Sequence, residues 1–451
     1  MKTLAFALVL LFIVPTIAFA QTFIVFPDHI LVDESATIRV SGLQPNERVS
    51  IRAELVDGAG QRWASEADFI GDPQGAIDLS KQAPVKGSYH EVSPLGLVWS
   101  MKPPEKDVAS YVSPTDFAPQ TIQFHLIRRY QPQVAAQLEQ RALAEHIRRI
   151  KLEGKLHGVL FLPAASERIP AALVLGGSEG GLTTQKAAWL ASHGYAALAL
   201  AYFRYEDLPP NLEAIPLEYF GAALAWLMQR PEILPDRVAV VGTSRGGELA
   251  LQLASMYPQI AATVAYVPAN VRYPACCGNF NSARFAWSWK GEPLPFLPAG
   301  TLRHPDPLTE AGATIAVEHA HGPILLIAGQ DDGIWNSSAM TEAVVNRLKQ
   351  SHFVPAVERF DYPHAGHRAG RPEIVPTWHG EVRHPVSGRI EHLGGTPQGD
   401  AESSIDGILK VLAFLQANLK TEAATGLTPA PAHAAATRPT EPTPPVPTTN
   451  Q

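Results

Sequence analysis

The residues best placed to do covalent chemistry lie in Val238-Ala239-Val240-Val241-Gly242-Thr243-Ser244-Arg245-Gly246-Gly247-Glu248. An apolar β-type run enters Gly-x-Ser-x-Gly, and helix-forming residues follow. A serine at such a strand-to-helix junction sits on a sharp turn that lifts its hydroxyl above the sheet edge. The flanking glycines are needed because the turn packs tightly on its neighbours. The helix start beside it favours developing negative charge. This arrangement suits nucleophilic attack on an acyl carbonyl. A serine hydroxyl is a weak nucleophile, however, and needs a base that is itself oriented by a carboxylate.

In α/β-hydrolases those partners follow the serine in the order acid, then histidine, each on the loop after a later strand. Ile324 to Gly329 reads as such a strand, and Asp331 and Asp332 on the loop after it are both candidates for the acid. Val357 to Tyr362 is the next strand, with Pro363-His364-Ala365-Gly366-His367 after it. His367 stands where the base belongs. His364 competes, and the two would make a His-x-x-His metal pair, but no third ligand lies at motif spacing. An oxyanion hole needs two backbone donors. One is the N–H of Arg245, after the nucleophile. The other comes from Gly176-Gly177-Ser178-Glu179-Gly180-Gly181, with the Ser178 N–H first and Gly177 as its alternative. No Gly-Lys-Ser/Thr follows these glycines, so the loop is not a nucleotide cradle. No cofactor and no metal are expected.

The elements that must hold these loops alternate. Gly158–Leu162, Ala172–Leu175, Ala196–Ala201, Val238–Gly242, Thr263–Val267, Ile324–Ala328 and Val357–Tyr362 are short apolar runs. Between them lie helical stretches at Lys186–Ser192, Leu217–Met228, Gly247–Met256 and Ser338–Gln350. Near-continuous apolarity fits strands covered on both faces, so the rhythm predicts an α/β domain with a mostly parallel sheet and flanking helices. Before it, Phe23–Phe26, Ala36–Val40, Val49–Val56 and Ile122–Ile127 are β-type runs separated by turn signals such as Gln44-Pro45-Asn46-Glu47 and Asp57-Gly58-Ala59-Gly60. That spacing predicts an immunoglobulin-like β-sandwich. The stretch Gln133–Arg149 reads either as helix or as a strand crossing between the domains.

The two ends read differently. Met1-Lys2-Thr3, the apolar run Leu4–Ile13 and Ala18-Phe19-Ala20 form the pattern of a secretory signal peptide cut after Ala20, and they predict a periplasmic or secreted protein. Residues 421–451, rich in Pro, Ala and Thr, predict a disordered tail. The expected division is therefore a signal peptide at 1–20, a β-sandwich at 21–131, an α/β-hydrolase catalytic domain at 132–420 and the tail at 421–451. No later segment is apolar for long enough to make a stable membrane span.

Across the 451 residues, 36 Lys and Arg face 43 Asp and Glu, a net charge of −7. A mildly acidic chain is a poor match for phosphate backbones, which argues against a nucleic-acid partner. Two cysteines exclude a disulfide-stapled scaffold and any multi-cysteine metal site. They are adjacent, Cys276-Cys277, and read as a vicinal disulfide or as two small buried residues. Trp99 and Trp335 read as packing, and His379, His384 and His392 as a solvated stretch.

Longer strings carry a resemblance over Phe26 to Asn418. They include Leu31-Val32-Asp33-Glu34, Pro94-Leu95-Gly96-Leu97-Val98-Trp99-Ser100-Met101-Lys102-Pro103, Tyr202-Phe203-Arg204-Tyr205-Glu206-Asp207-Leu208-Pro209, Leu217-Glu218-Tyr219-Phe220, Gly329 to Ser337, and Tyr362-Pro363-His364-Ala365-Gly366-His367. With these the chain resembles the acyl-CoA thioesterase and bile-acid-CoA:amino-acid N-acyltransferase family. The resemblance implies a β-sandwich followed by an α/β-hydrolase domain, and a triad of Ser244, Asp332 and His367. It also favours Asp332 over Asp331. Acyltransferase members of that family carry Cys at the nucleophile position, whereas this chain has Ser, like the thioesterases. The expectation is a serine-dependent acyl thioester hydrolase acting on a small-molecule acyl thioester or ester. A carboxylesterase or lactone hydrolase with the same triad is the nearest alternative. An N-acyltransferase and a non-catalytic binding protein are the others.

Overall fold

The computed structural model describes residues 21–105, 108–128, 134–277, 284–298 and 307–420. The expected signal peptide and C-terminal tail lie outside the described residues. The chain forms a mostly antiparallel β domain followed by an α/β-hydrolase domain.

In the first domain, Arg48–Val56 and Arg62–Ile70 pair antiparallel along their whole length, and Gln120–Ile127 flanks Arg48–Val56. Their side chains alternate between core and solvent, as the pleat dictates. Val49, Ile51, Ala53 and Leu55 thus share one buried face with Trp63, Phe69, Ile122 and Phe124. A smaller sheet of Thr22–Phe26, Thr37–Ser41 and Ile77–Asp78 adds Val25, Ile38 and Val40 to the same core.

The ambiguous stretch resolves as strand. Val134–Arg141 pairs antiparallel with Gln120–Ile127 and completes the first domain's six-stranded sheet. Arg148–Lys151 already belongs to the second sheet. By sheet membership the first domain therefore runs on to Arg141, past the expected boundary at Gln131. High helix propensity in this stretch yields to pairing with an open strand edge, since tertiary context overrides a weak prior.

The second domain is built on eight strands in the spatial order Arg148–Lys151, His157–Leu162, Ala196–Ala201, Ile169–Leu175, Ile233–Thr243, Ala262–Tyr266, Ile324–Gly329 and Val357–Tyr362. The first two pairings are antiparallel and the rest parallel. Crossover helices Gln185–Ser192, Glu218–Met228, Arg245–Ala254 and Ser337–Gln350 cover its faces. Ala196–Ala201, Ala262–Tyr266, Ile324–Gly329 and the Val238–Gly242 half of the central strand are buried throughout, which is why they read as near-continuous apolar runs. A final helix, Pro397–Leu419, was not apparent in the sequence. Thr396 caps it by accepting a hydrogen bond from the Gly399 amide. No described helix is long and apolar enough to cross a membrane.

The two domains meet around the segment that follows His367. The Ile374 amide donates to the Val32 carbonyl, the Thr377 amide to Trp99, and the Gly380 amide to Ala109. The Trp378 ring meets Trp63 edge-on at 6.0 Å. From the other side, buried Asp33 accepts from Trp189 Nε1 at 2.8 Å and lies 2.7 Å from His193 Nε2. Trp99 is packing, as expected, with its indole N–H on Ser93 Oγ.

Candidate active site

Ser244 follows the central strand Ile233–Thr243 and precedes the helix Arg245–Ala254. Its backbone is left-handed, with φ 58° and ψ −120°. Such a conformation costs about 1–3 kcal/mol in a residue other than glycine and persists only where neighbours over-determine it. Here its amide donates to the Tyr266 carbonyl at 2.9 Å, and its own carbonyl accepts from Gly247 and Glu248. The motif's glycines have a steric reason. A Cβ on Gly242 would stand 1.9 Å from the Gly246 carbonyl oxygen, and one on Gly246 would stand 2.3 Å from that of Gly176. The helix therefore approaches both its own strand and the neighbouring loop as closely as bare backbone permits.

Asp332 and His367 reach Ser244 from the loops that follow the strands Ile324–Gly329 and Val357–Tyr362. Ser244 Oγ lies 2.9 Å from His367 Nε2. His367 Nδ1 lies 2.9 Å from each carboxylate oxygen of Asp332, whose side chain is fully buried. Asp332 is pinned by amides of its own turn, from Ile334 at 2.9 Å and Trp335 at 3.3 Å. Asp331 instead points to solvent and sits 3.4 Å from exposed His364. The neighbouring carboxylates are thus separated by which side of the loop each faces, and only Asp332 meets His367.

The imidazole is boxed in. Trp335 packs edge-on against it at 5.3 Å and stacks on Tyr273 at 5.2 Å. The His367 amide donates to the Leu393 carbonyl, and the Gly366 amide donates to Asp400 Oδ1. Burial pushes the Asp400 carboxyl up to about 6. That link ties the histidine loop to the first turn of the last helix.

Arg245 opens the helix, so its N–H has no partner within the helix. The Gly176–Gly181 loop lies alongside, and a Cβ on Gly177 would stand 3.3 Å from Ser244 Cβ. Ser178 is the next residue. The loop is braced by Tyr202 Oη on the Gly176 carbonyl at 2.7 Å and Arg204 Nη1 on the Glu179 carbonyl at 3.1 Å. Cys276 and Cys277 are disulfide-bonded, and Cys277 Sγ lies 3.8 Å from the Ser178 carbonyl.

Two groups of residues escaped the sequence reading. His384 and His379 are not solvated. His384 is only 3% exposed, with Nε2 3.1 Å from Ser178 Oγ. His379 Nε2 lies 3.2 Å from the Gly394 carbonyl. Only His392 of the three is exposed. The second group surrounds Glu248, which is fully buried beneath the elbow. It accepts from Trp287 Nε1 at 2.7 Å and lies 3.3 Å from Arg245 Nε. Burial pushes its carboxyl up, while Arg245 and, more weakly, Arg272 pull the other way. Arg245 in turn donates to the carbonyls of Tyr273 and Pro274. Glu248→Ala is expected to cost about 3–5 kcal/mol, because it leaves buried arginine without its counter-charge. Urea unfolding should show a lower midpoint at unchanged slope.

Among the described residues, His157, Glu206 and Asp207 bring three metal-capable atoms within 4.8 Å of one another. Both imidazole nitrogens already lie on carboxylates there, and Lys151 Nζ pairs with Glu206 at 2.7 Å. None of these residues touches the Ser244–His367–Asp332 chain.

Known proteins match both halves. Residues 33–154 match the family model described as acyl-CoA thioester hydrolase/BAAT N-terminal region. Residues 215–421 match that of BAAT/acyl-CoA thioester hydrolase C terminal. Mouse (Mus musculus) acyl-coenzyme A thioesterase 6 is 29% identical over 409 residues, 86% of this chain and 94% of the relative. Mouse acyl-coenzyme A thioesterase 1 is 30% identical over 412 residues, with the same two coverages. Human (Homo sapiens) mitochondrial acyl-coenzyme A thioesterase 2 is 30% identical over 411 residues, 86% of this chain and 82% of the relative. Matched from the first domain through the loops that carry Ser244, Asp332 and His367, the chain belongs to the acyl-CoA thioester hydrolase/BAAT family.

Proposed function

We propose that the protein is a serine-dependent acyl thioester hydrolase working through an acyl-enzyme. The observation that carries this reading is the unbroken hydrogen-bond chain from Ser244 Oγ through His367 to Asp332. His367 Nε2 takes the hydroxyl proton as Ser244 Oγ attacks the thioester carbon. Asp332 holds the Nδ1 proton and stabilises the imidazolium. The amides of Arg245 and Ser178 receive the charge that develops on the carbonyl oxygen. Collapse breaks the C–S bond, and His367 returns the proton to the departing thiol. A water deprotonated by His367 then attacks the serine ester. The carboxylic acid leaves and Ser244 regains its proton.

The thioesterase relatives support a CoA thioester as the leaving side. Serine at the nucleophile position supports water as the acceptor, since a serine ester hydrolyses readily. A fluorophosphonate probe should label the wild-type chain at Ser244. A matched panel of acyl-CoA thioesters and oxygen esters should then show higher kcat/KM for the thioesters. Labelling with preference for oxygen esters would point to a carboxylesterase instead. Failure to label would point to a binding protein.

A further inference from the structure

His384 sits in a short hairpin between Val382–Arg383 and Ile390–Glu391. The hydrogen bonds assign its tautomer. Nδ1 accepts from the amides of Val386 at 3.2 Å and Ser387 at 3.1 Å. An imidazole nitrogen that accepts carries no proton, so a neutral ring holds its proton on Nε2. That N–H is aimed at Ser178 Oγ, 3.1 Å away. Arg204 makes a parallel tie, donating to the Pro385 carbonyl with one nitrogen and to the Glu179 carbonyl with another. The chain leaving the hairpin reaches Leu393, whose carbonyl accepts from the amides of both His367 and Gly333. One excursion of the backbone therefore touches the histidine loop, the acid loop and the glycine-rich loop.

We propose that His384 is a positioning residue for the oxyanion hole: its Nε2–H grips the Ser178 hydroxyl and so aims the Ser178 amide at the position above Ser244. This rests on the reading of Ser244 as nucleophile and of the Ser178 N–H as a donor to the oxyanion. An oxyanion donor acts on the transition state and not on the bound ground state, so loosening it lowers kcat with little change in KM.

The test uses the purified full chain with an acyl-CoA that the wild type hydrolyses, and a trifluoromethyl ketone analogue that forms a tetrahedral adduct on serine. His384→Asn keeps an acceptor for the turn amides but is too short to reach Ser178. His384→Gln keeps an N–H that reaches it. The Asn variant should lose about 10- to 100-fold in kcat, as a donor misplaced by a fraction of an ångström would. Its KM should stay within about twofold. Inhibition by the ketone should weaken in parallel with kcat, and His384→Gln should recover most of the loss. Ser178→Ala should reproduce the Asn phenotype, and the double variant should be no worse than either single, because both remove one link. A wild-type kcat in either Ser178→Ala or His384→Asn overturns the proposal. So do losses that multiply in the double variant, or a raised KM at unchanged kcat. If His384→Asn fails to fold, Ser178→Ala alone decides. Should wild-type turnover itself not depend on Ser244, the hydrolase reading falls and this proposal with it. With Ser244-dependent turnover intact, an unaffected Ser178→Ala overturns only the role given to His384.

Discussion

Ser244→Ala should fold as the wild type does and lose turnover by roughly 10⁵–10⁶-fold, the scale seen when a triad nucleophile is removed. The fold should survive because the elbow is held by backbone contacts that alanine keeps. The Ser244 amide on Tyr266, and the amides of Gly247 and Glu248 on the Ser244 carbonyl, do not involve the hydroxyl. Residual turnover would come from the oxyanion donors and substrate binding alone. Steady-state hydrolysis of an acyl-CoA, with circular dichroism to verify folding, measures both halves. A folded variant with turnover near the wild-type level would remove Ser244 from the chemistry.

Asp332→Asn should cost on the order of 10⁴-fold in kcat, while Asp331→Asn should cost less than about threefold. The amide side chain nearly preserves shape but cannot accept the Nδ1 proton with both oxygens or offset the imidazolium charge. Asp332 is fully buried and both its oxygens face His367 Nδ1, so water cannot replace the lost carboxylate. Asp331 lies on the solvent side of the loop beside exposed His364, where neutralising it removes little. Measuring kcat for the pair of variants under identical conditions isolates the acid. Equal losses, or the reverse order, would show that the orienting carboxylate is not Asp332.

Much of the architecture was legible because it is written in local pattern. Ala196–Ala201 appears as a strand with the boundaries its apolar run suggests, and Val357–Tyr362 keeps its expected bounds as a half-buried strand at the sheet edge. The crossover helices fall within one residue of the expected positions, apart from Arg245–Ala254, which is shifted by two residues from the expected Gly247–Met256. A strand buried on both faces has to be apolar along its whole length, and the helix that covers it must show a helical period. Gly-x-Ser-x-Gly is equally local. Its glycines are demanded by backbone oxygens that the strand and helix themselves bring to 1.9 and 2.3 Å of the missing Cβ atoms.

By itself, then, the sequence determined the strand–helix rhythm, the elbow and the residue types on the loops that follow, because each depends on neighbours along the chain. Other features were decided only by tertiary structure. Asp331 and Asp332 are chemically identical neighbours, and burial of one side of their loop under Gly394 and Leu393 separates them. Val134–Arg141 has good helix formers, yet an open edge beside Gln120–Ile127 makes it a strand. His384 carries no motif and stands more than 200 residues from its partner, Ser178, at |i−j| = 206. It reads as surface in one dimension because it stands between Arg383 and Pro385 in a stretch with no continuous apolar run. It comes beside the site because the hairpin after His367 folds back onto the glycine-rich loop and closes a distance that no local pattern encodes.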